Sequence, residues 1–437
     1  MTDGTIAAIA TPPGEGAIAM VRLSGPETKD ILSRIFSGKV DEPRRAAFGK
    51  IRDGAETVDE CLATWFRAPA SFTGEDMAEI TCHGGILLAA KILELALRHG
   101  ARAAEPGEFA RRAFMNGKMD LTRAEAVMDI IRARTAPALR AAALQLEGRL
   151  GTEIESLRAG TLEAVAHLEA WIDFPEEGID PATGRELFEK ISALAERTEA
   201  LLSTAEEGRI LREGVRAAIV GKPNAGKSSL LNRLLGLDRA IVSETPGTTR
   251  DTIEESACLR GILFKLTDTA GLRETDDPVE REGVARTGRA IGQSDIVLHV
   301  VDASAGEIPA APMENGILVL NKSDLAPAGK TPQGAVRVSC LTGEGLDALL
   351  DKMAEAAGQR QHAAGQHLAA INARHKALLD SAFQTLRAAA QLVRENSPPE
   401  LAAVELRAAL EALGRIVGSA DTEEILGEIF GRFCIGK

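Results

Sequence analysis

Gly221-Lys222-Pro223-Asn224-Ala225-Gly226-Lys227-Ser228 follows a short apolar run, residues 215–220, and precedes a run of helical pattern, residues 229–235. A glycine-framed loop therefore sits where a strand gives way to a helix, the context a phosphate cradle needs. Gly221 and Gly226 let the backbone bring N–H groups close to anionic oxygens, and the helix N-terminus adds a favourable dipole. Lys227 is then placed to reach β- and γ-phosphates, and the Ser228 hydroxyl to ligate Mg²⁺. Asn224, Ala225, Gly226, Lys227, Ser228 and Ser229 form the candidate phosphate-binding set.

Further motifs follow in the order a guanine nucleotide site requires. Asp268-Thr269-Ala270-Gly271 closes the apolar run 262–267, where the aspartate can hold the magnesium shell and the glycine N–H can sense the γ-phosphate. Asn321-Lys322-Ser323-Asp324 follows another apolar run, and a carboxylate at 324 can accept both N1–H and the exocyclic amine of guanine; adenine has no such donor pair. Ser339-Cys340-Leu341 is a candidate for backbone support of the base. Between these lies Ser243-Glu244-Thr245-Pro246-Gly247-Thr248-Thr249, where a switch segment belongs, with Thr249 the candidate second Mg²⁺ ligand. Leu272 follows Gly271, where Ras-like enzymes place a water-orienting glutamine, and leucine cannot orient water. Glu280 is the best nearby carboxylate, although on the residues alone a solvated acidic loop accounts for it better, and the Asn224 amide oxygen could help to bind a monovalent cation.

With 437 residues the chain has room for about three domains. Its net charge of −13 argues against broad electrostatic capture of nucleic acid or anionic membrane. Five scattered cysteines with no C-x-x-C pair suit reduced thiols and imply no zinc framework. Thr11-Pro12-Pro13-Gly14 interrupts the one candidate leader, and no apolar run approaches the ~20 residues that span a bilayer, so a cytoplasmic, non-membrane protein is expected.

Residues 1–117 mix strand and helix patterns: strands at 6–10, 17–23, 61–67 and 77–82, helices at 28–36 and 86–98, giving an α+β domain. Residues 118–212 read as long helices interrupted by an acidic loop at 173–178, which suits a solvated turn better than a metal site. Residues 213–360 alternate strand and helix, implying a parallel sheet covered by helices. Residues 361–437 return to helical spacing. The fold class is thus multidomain α/β plus α, with a Ras-like P-loop domain inserted into a helical domain whose two parts complete one bundle. Arg111-Arg112 reads as a small basic surface of the first domain.

Over essentially its whole length the chain resembles the MnmE (TrmE) family of bacterial tRNA-modification GTPases. The resemblance rests on Ala10-Thr11-Pro12-Pro13-Gly14, His83-Gly84-Gly85, Pro106-Gly107-Glu108-Phe109, Arg111-Arg112-Ala113-Phe114, Asp120-Leu121, Glu125-Ala126, Gly247-Thr248-Thr249-Arg250-Asp251, the other GTPase motifs and Phe433-Cys434-Ile435-Gly436-Lys437. It implies an N-terminal folate-binding domain that also forms a homodimer, with Arg22, Glu79, Lys118 and Lys437 contacting 5-formyl- or methylene-tetrahydrofolate. It implies a catalytic Glu280, and K⁺ held by Asn224, Ser243, Thr245 and Thr248 in place of an arginine finger. Ser243 and Pro246 depart from the commoner family wording, but Ser243 keeps its backbone carbonyl for the cation. The implied partners are tRNA and the FAD-dependent protein MnmG (GidA), in a heterotetramer that modifies C5 of the wobble uridine. Cys434 is the family's terminal cysteine, either a nucleophile with a lowered pKa or a small, partly buried hydrophobe. A regulatory or ribosome-assembly GTPase would carry a similar G domain, but such proteins usually append a basic RNA-binding module, and the flanks here are acidic or neutral.

Overall fold

The computed structural model describes residues 4–173, 181–237, 254–268, 291–305, 308–309, 313, 315–326, 331–361, 371–419 and 423–437. In chain order the elements are β1 (Ile6–Ile9), β2 (Ile18–Ser24), α1 (Thr28–Ile35), β3 (Ala46–Asp53), β4 (Glu56–Phe66), β5 (Met77–His83), α2 (Ile86–Arg98), β6 (Arg102–Ala103) and α3 (Glu108–Met115). Five helices follow: α4 (Leu121–Arg132), α5 (Ala136–Leu146), α6 (Arg149–Asp173), α7 (Pro181–Ser203) and α8 (Ala205–Glu213). The next segment contains β7 (Val215–Val220), α9 (Lys227–Gly236), β8 (Glu254–Leu259), β9 (Ile262–Asp268), β10 (Ile296–Asp302), β11 (Gly316–Asn321) and β12 (Val336–Arg337). The chain closes with α10 (Leu346–Gln361), α11 (Ala373–Arg394), α12 (Pro399–Val417) and α13 (Glu423–Gly431). They fall into two compact units, one of residues 1–128, 145–194 and 384–437, the other of 129–144 and 195–383.

In the first unit, β3-β4-β5-β2-β1-β6 form one sheet, antiparallel except for β1 beside β6. Alternation along the strands sends Val21, Leu23, Ile51, Ala63, Ile80 and Cys82 into a core shared with Ile31, Leu32 and Ile35 of α1 and Ile92 and Leu95 of α2. The alternate positions, Met20, Arg22, Glu79 and Thr81, are left half-buried on the other face. Leu121 and Ala124 of α4 pack with Ala110 of α3 and with Phe430 and Phe433, so the end of the chain folds back onto its first part. Helices α6 and α12 lie along each other, joined at the surface by Arg407 and Glu169. Pro399 opens α12 as its first helical residue, where the missing N–H costs nothing.

Arg112 does not form the basic surface expected from sequence. It is 1% exposed, and its guanidinium donates to Glu75 Oε2 at 2.9 Å, Glu108 Oε1 at 3.0 Å and the Gly4 carbonyl at 3.1 Å. A charge taken out of water persists only when paired in this way. Burial pushes the Glu108 carboxyl up, but hydrogen bonds from Arg102, the Glu105 N–H and Arg112 outweigh it and hold the group below its ordinary value.

The second unit is built on the sheet β12-β11-β10-β7-β9-β8, parallel except for β8, which runs antiparallel to β9 at the edge. Ala217, Ile219, Phe264, Leu266, Leu298, Val300 and Val319 meet Leu230 and Leu234 of α9 and Leu349 and Met353 of α10 in its core. The parallel sheet expected from alternation thus gains one antiparallel strand, in which Ala257 and Leu259 are buried and Glu255, nearer its start, is exposed. Register sets Ile219 beside Asp268 and Asp302 beside Asn321, bringing Gly221, Asp268, Asp302 and Asn321 to the carboxyl edge of the sheet. Ligands of open α/β sheets bind at that edge.

Candidate functional site

At this edge β7 stops at Val220 and the chain turns through Gly221–Gly226 into α9. Gly221 has φ +152 and a Cβ there would lie 2.1 Å from the Val300 carbonyl oxygen; Gly226 has φ +94 and its Cβ would lie 2.1 Å from Asn321 Nδ2. Only glycine fits either place, so the loop is held tight against two neighbouring strands. Asn224, also left-handed at φ 63, is exposed at the rim. The Lys227 ammonium is buried and donates to the carbonyls of Gly221 and Lys222, both at 3.0 Å, which keeps it over the loop at the start of the helix.

Ser228 Oγ donates to Asp268 Oδ2 at 2.8 Å. One comes from the first turn of α9 and the other from the end of β9, and together they present hard oxygen donors beside the phosphate loop. That is the donor set Mg²⁺ takes when it also binds phosphate oxygens. The Asn321 side chain, 2% exposed, donates from Nδ2 to the Ala225 carbonyl at 2.9 Å and accepts the Cys340 N–H at Oδ1 at 3.2 Å, so it ties the glycine loop to the 339–341 loop. Lys322 Nζ lies 2.6 Å from Asp302 Oδ2. The hydrogen bonds from Lys322 and Ser304 hold the Asp302 carboxyl down at about 2. Asp324 is exposed, as is Leu341, while Ser339 is buried with its N–H on the Glu344 carbonyl and its hydroxyl accepting from Thr342 N–H. Burial pushes the Cys340 thiol up, against the pull of Arg233.

A second polar cluster lies in the first unit. Arg22 and Glu79 are directly paired across β2 and β5, at 2.8 Å, each about one-fifth exposed. Arg22 Nη1 also reaches the Gly436 carbonyl at 3.5 Å, and burial, then the Arg22 charge, pushes the Lys437 ammonium below its ordinary value. Two cations against one carboxylate suit an anionic or acceptor-rich ligand. Cys434 is exposed, which removes the reading of it as a buried small hydrophobe. Lys118 donates to the Pro69 carbonyl at 2.9 Å and makes no hydrogen bond to Arg22, Glu79 or Lys437.

Residues 5–118 match the family model described as GTP-binding protein TrmE N-terminus, and residues 121–434 match the MnmE helical domain model. The chain belongs to the MnmE family of tRNA modification GTPases. The tRNA modification GTPase MnmE of Akkermansia muciniphila is 48% identical over 450 residues, covering 100% of both chains. The MnmE proteins of Roseiflexus sp. (strain RS-1) and Carboxydothermus hydrogenoformans are 46% and 43% identical, over 100% of this chain and 99% and 100% of theirs.

Of the nucleotide-site residues read from the sequence motifs, the structure brings together Ala225, Gly226, Lys227, Ser228, Asp268, Asn321 and Cys340 through the contacts above. Ser229 is exposed on α9 beside them. Ser243, Glu244, Thr245, Pro246, Gly247, Thr248, Thr249, Thr269, Ala270, Gly271 and Glu280 lie outside the described residues. Sequence reading missed Asp302 and Arg233. Asp302 had a signal, an acidic residue ending an apolar parallel strand. Arg233 had none.

Proposed function

We propose that this MnmE-family chain binds Mg²⁺–GTP at the carboxyl edge of the second unit and hydrolyses it in a potassium-stimulated reaction. The observation that carries this reading is the Ser228–Asp268 contact at 2.8 Å beside a glycine loop that Asn321 fastens to the base-side loop. Ser228 and Asp268, with Thr249, would hold the metal, which when bound offsets charge on the β- and γ-phosphates. Lys227 would exchange the Gly221 and Lys222 carbonyls for phosphate oxygens. Asp324 would select guanine, and Leu341 would add a backbone contact, because the N–H groups of Ser339 and Cys340 are engaged within the protein. Asn224, with Ser243, Thr245 and Thr248, would hold K⁺, and Glu280 would act on the attacking water.

The proposed domains are 1–117 for folate binding and homodimerisation, 118–212 and 361–437 for the helical domain, and 213–360 for the GTPase. The half-buried Arg22, Glu79 and Lys437 would contact a tetrahydrofolate, with Lys118 on its outer side and Cys434 exposed nearby. In the cytoplasm, with MnmG in a heterotetramer, the protein would add an aminomethyl or carboxymethylaminomethyl group to C5 of the tRNA wobble uridine. GTP hydrolysis would drive domain rearrangement rather than the carbon chemistry. No helix among the described residues is long and apolar enough to cross a membrane. The test is GTP hydrolysis by the full chain in KCl and in NaCl, with ATP as control. Faster turnover in potassium with GTP preferred is the expected result; equal rates in both salts would refute the cation role, and no preference for guanine would refute the site.

A further inference from the structure

Arg233 lies on α9, six residues after the phosphate-loop lysine, and is exposed. Its Nε donates to the Cys340 carbonyl at 2.7 Å and its terminal Nη2 to the Leu341 carbonyl at 2.6 Å. One guanidinium thus grips two successive peptide oxygens of the 339–341 loop, and its planar fork holds them in a fixed geometry that a rotatable ammonium does not impose. A trans peptide is planar, with C=O and the following N–H pointing opposite ways. Holding the Cys340 carbonyl on Arg233 therefore turns the Leu341 N–H away from the guanidinium. Holding the Leu341 carbonyl fixes the next peptide, whose Thr342 N–H goes to Ser339 Oγ at 3.1 Å. The Cys340 N–H is fixed from the other side by Asn321 Oδ1.

We infer that Arg233 is a positioning residue for guanine recognition: it sets the 340–341 peptides in the orientation that donates to the base's O6, at a distance from the phosphates and without touching nucleotide. The inference rests on the GTP reading of this site. It separates two parts of base selection. Asp324 reads N1–H and the exocyclic amine, and the loop that Arg233 grips reads O6.

The test measures equilibrium binding of three diphosphates to the full chain: GDP, inosine diphosphate, which lacks the 2-amino group, and 6-thioguanosine diphosphate, which keeps N1–H and the amine but lacks O6, carrying a weakly accepting sulfur in its place. The unsubstituted protein should favour GDP over both analogues. In Arg233→Ala the preference for GDP over the O6-lacking analogue should shrink by about 5–10-fold, the worth of one oriented hydrogen bond. The preference over inosine diphosphate should stay within about twofold, because Asp324 is untouched. Arg233→Lys, which keeps a donor but loses the planar fork, should fall between. Thermal unfolding of each variant without nucleotide reports whether it is folded. In a folded variant, equal loss of both preferences, or no change in either, would overturn the inference. If the unsubstituted chain bound GDP no better than ADP, the guanine reading itself would fall and this inference with it.

Discussion

Replacing Asn321 with alanine tests whether this side chain acts on the nucleotide or on the protein. Its amide is 2% exposed and makes two hydrogen bonds, to the Ala225 carbonyl at 2.9 Å and from the Cys340 N–H at 3.2 Å. Neither involves ligand, so removing the amide should weaken the nucleotide-free protein. A buried partner left unsatisfied costs about 1–3 kcal/mol; with two partners and some relaxation the loss should be about 2–4 kcal/mol, or about 5–15 °C in the unfolding of a domain of this size. Asn321→Asp sharpens the test. It keeps an acceptor for the Cys340 N–H but sets a carboxylate oxygen against the Ala225 carbonyl, so this near-isosteric change should cost at least as much as the truncation. The assay is calorimetric unfolding of the full chain without nucleotide, alongside dissociation rates of a fluorescent GDP. If both variants melt within about 2 °C of the parent yet lose GDP, Asn321 acts through the base and the structural tie is refuted.

Gly226→Ala should be strongly destabilising alone, since its Cβ would meet Asn321 Nδ2 at 2.1 Å at φ +94. In an Asn321→Ala background the clash is gone and only the left-handed strain of about 1–2 kcal/mol remains, so a double-mutant cycle by urea denaturation should be non-additive; additive losses would mean the two do not meet. Asp324→Asn turns an acceptor pair into a mixed donor and acceptor, so binding should move from guanine to xanthine diphosphate, and unchanged preference in competition assays would exclude Asp324 from base reading. Lys322 and Ser304 hold the Asp302 carboxyl at about 2, below its unfolded value. Its stabilisation is therefore complete above about pH 4 and fades as pH falls towards 2. The stability gap between the parent and Asp302→Asn should narrow between pH 5 and 3, and a gap constant over that range would contradict the pairing.

The nucleotide edge was legible because its chemistry is local in sequence. Phosphate contact demands glycine, lysine and serine at fixed spacing on a strand-to-helix turn, and the buried parallel strands β7, β10 and β11 read as almost unbroken apolar runs. The edges were not. In β3 only Gly49 and Ile51 are buried, and β8 runs from three polar residues, Glu254 to Ser256, into Ala257, Cys258 and Leu259 without alternating, so neither shows a strong period. Arg112 looked like surface because its partners, Glu75 and the Gly4 carbonyl, arrive from segments 37 and 108 residues away. Arg233 was invisible for a similar reason: it sits on the polar side of an amphipathic helix, and its partners are backbone carbonyls 107 and 108 residues on.

Strand register makes these separate motifs one site. Neighbouring strands lie about 4.8 Å apart, so pairing Ile219 with Asp268 and Asp302 with Asn321 sets the phosphate loop, the Ser228–Asp268 oxygens and the base-side residues side by side. A slip of one residue on β9 or β11 would turn Asp268 or Asn321 to the opposite face. On β9 the core position Leu266 forbids that slip, since it would trade its buried face for the half-exposed one of Lys265 and Thr267; on β11, buried on both faces, the slip would force Val319 into the places of Leu318 or Leu320, and packing of unlike shapes resists it. The apolar residues of these two strands therefore carry part of the nucleotide site's specificity: they hold, by burial, the register on which every polar contact at the sheet edge depends.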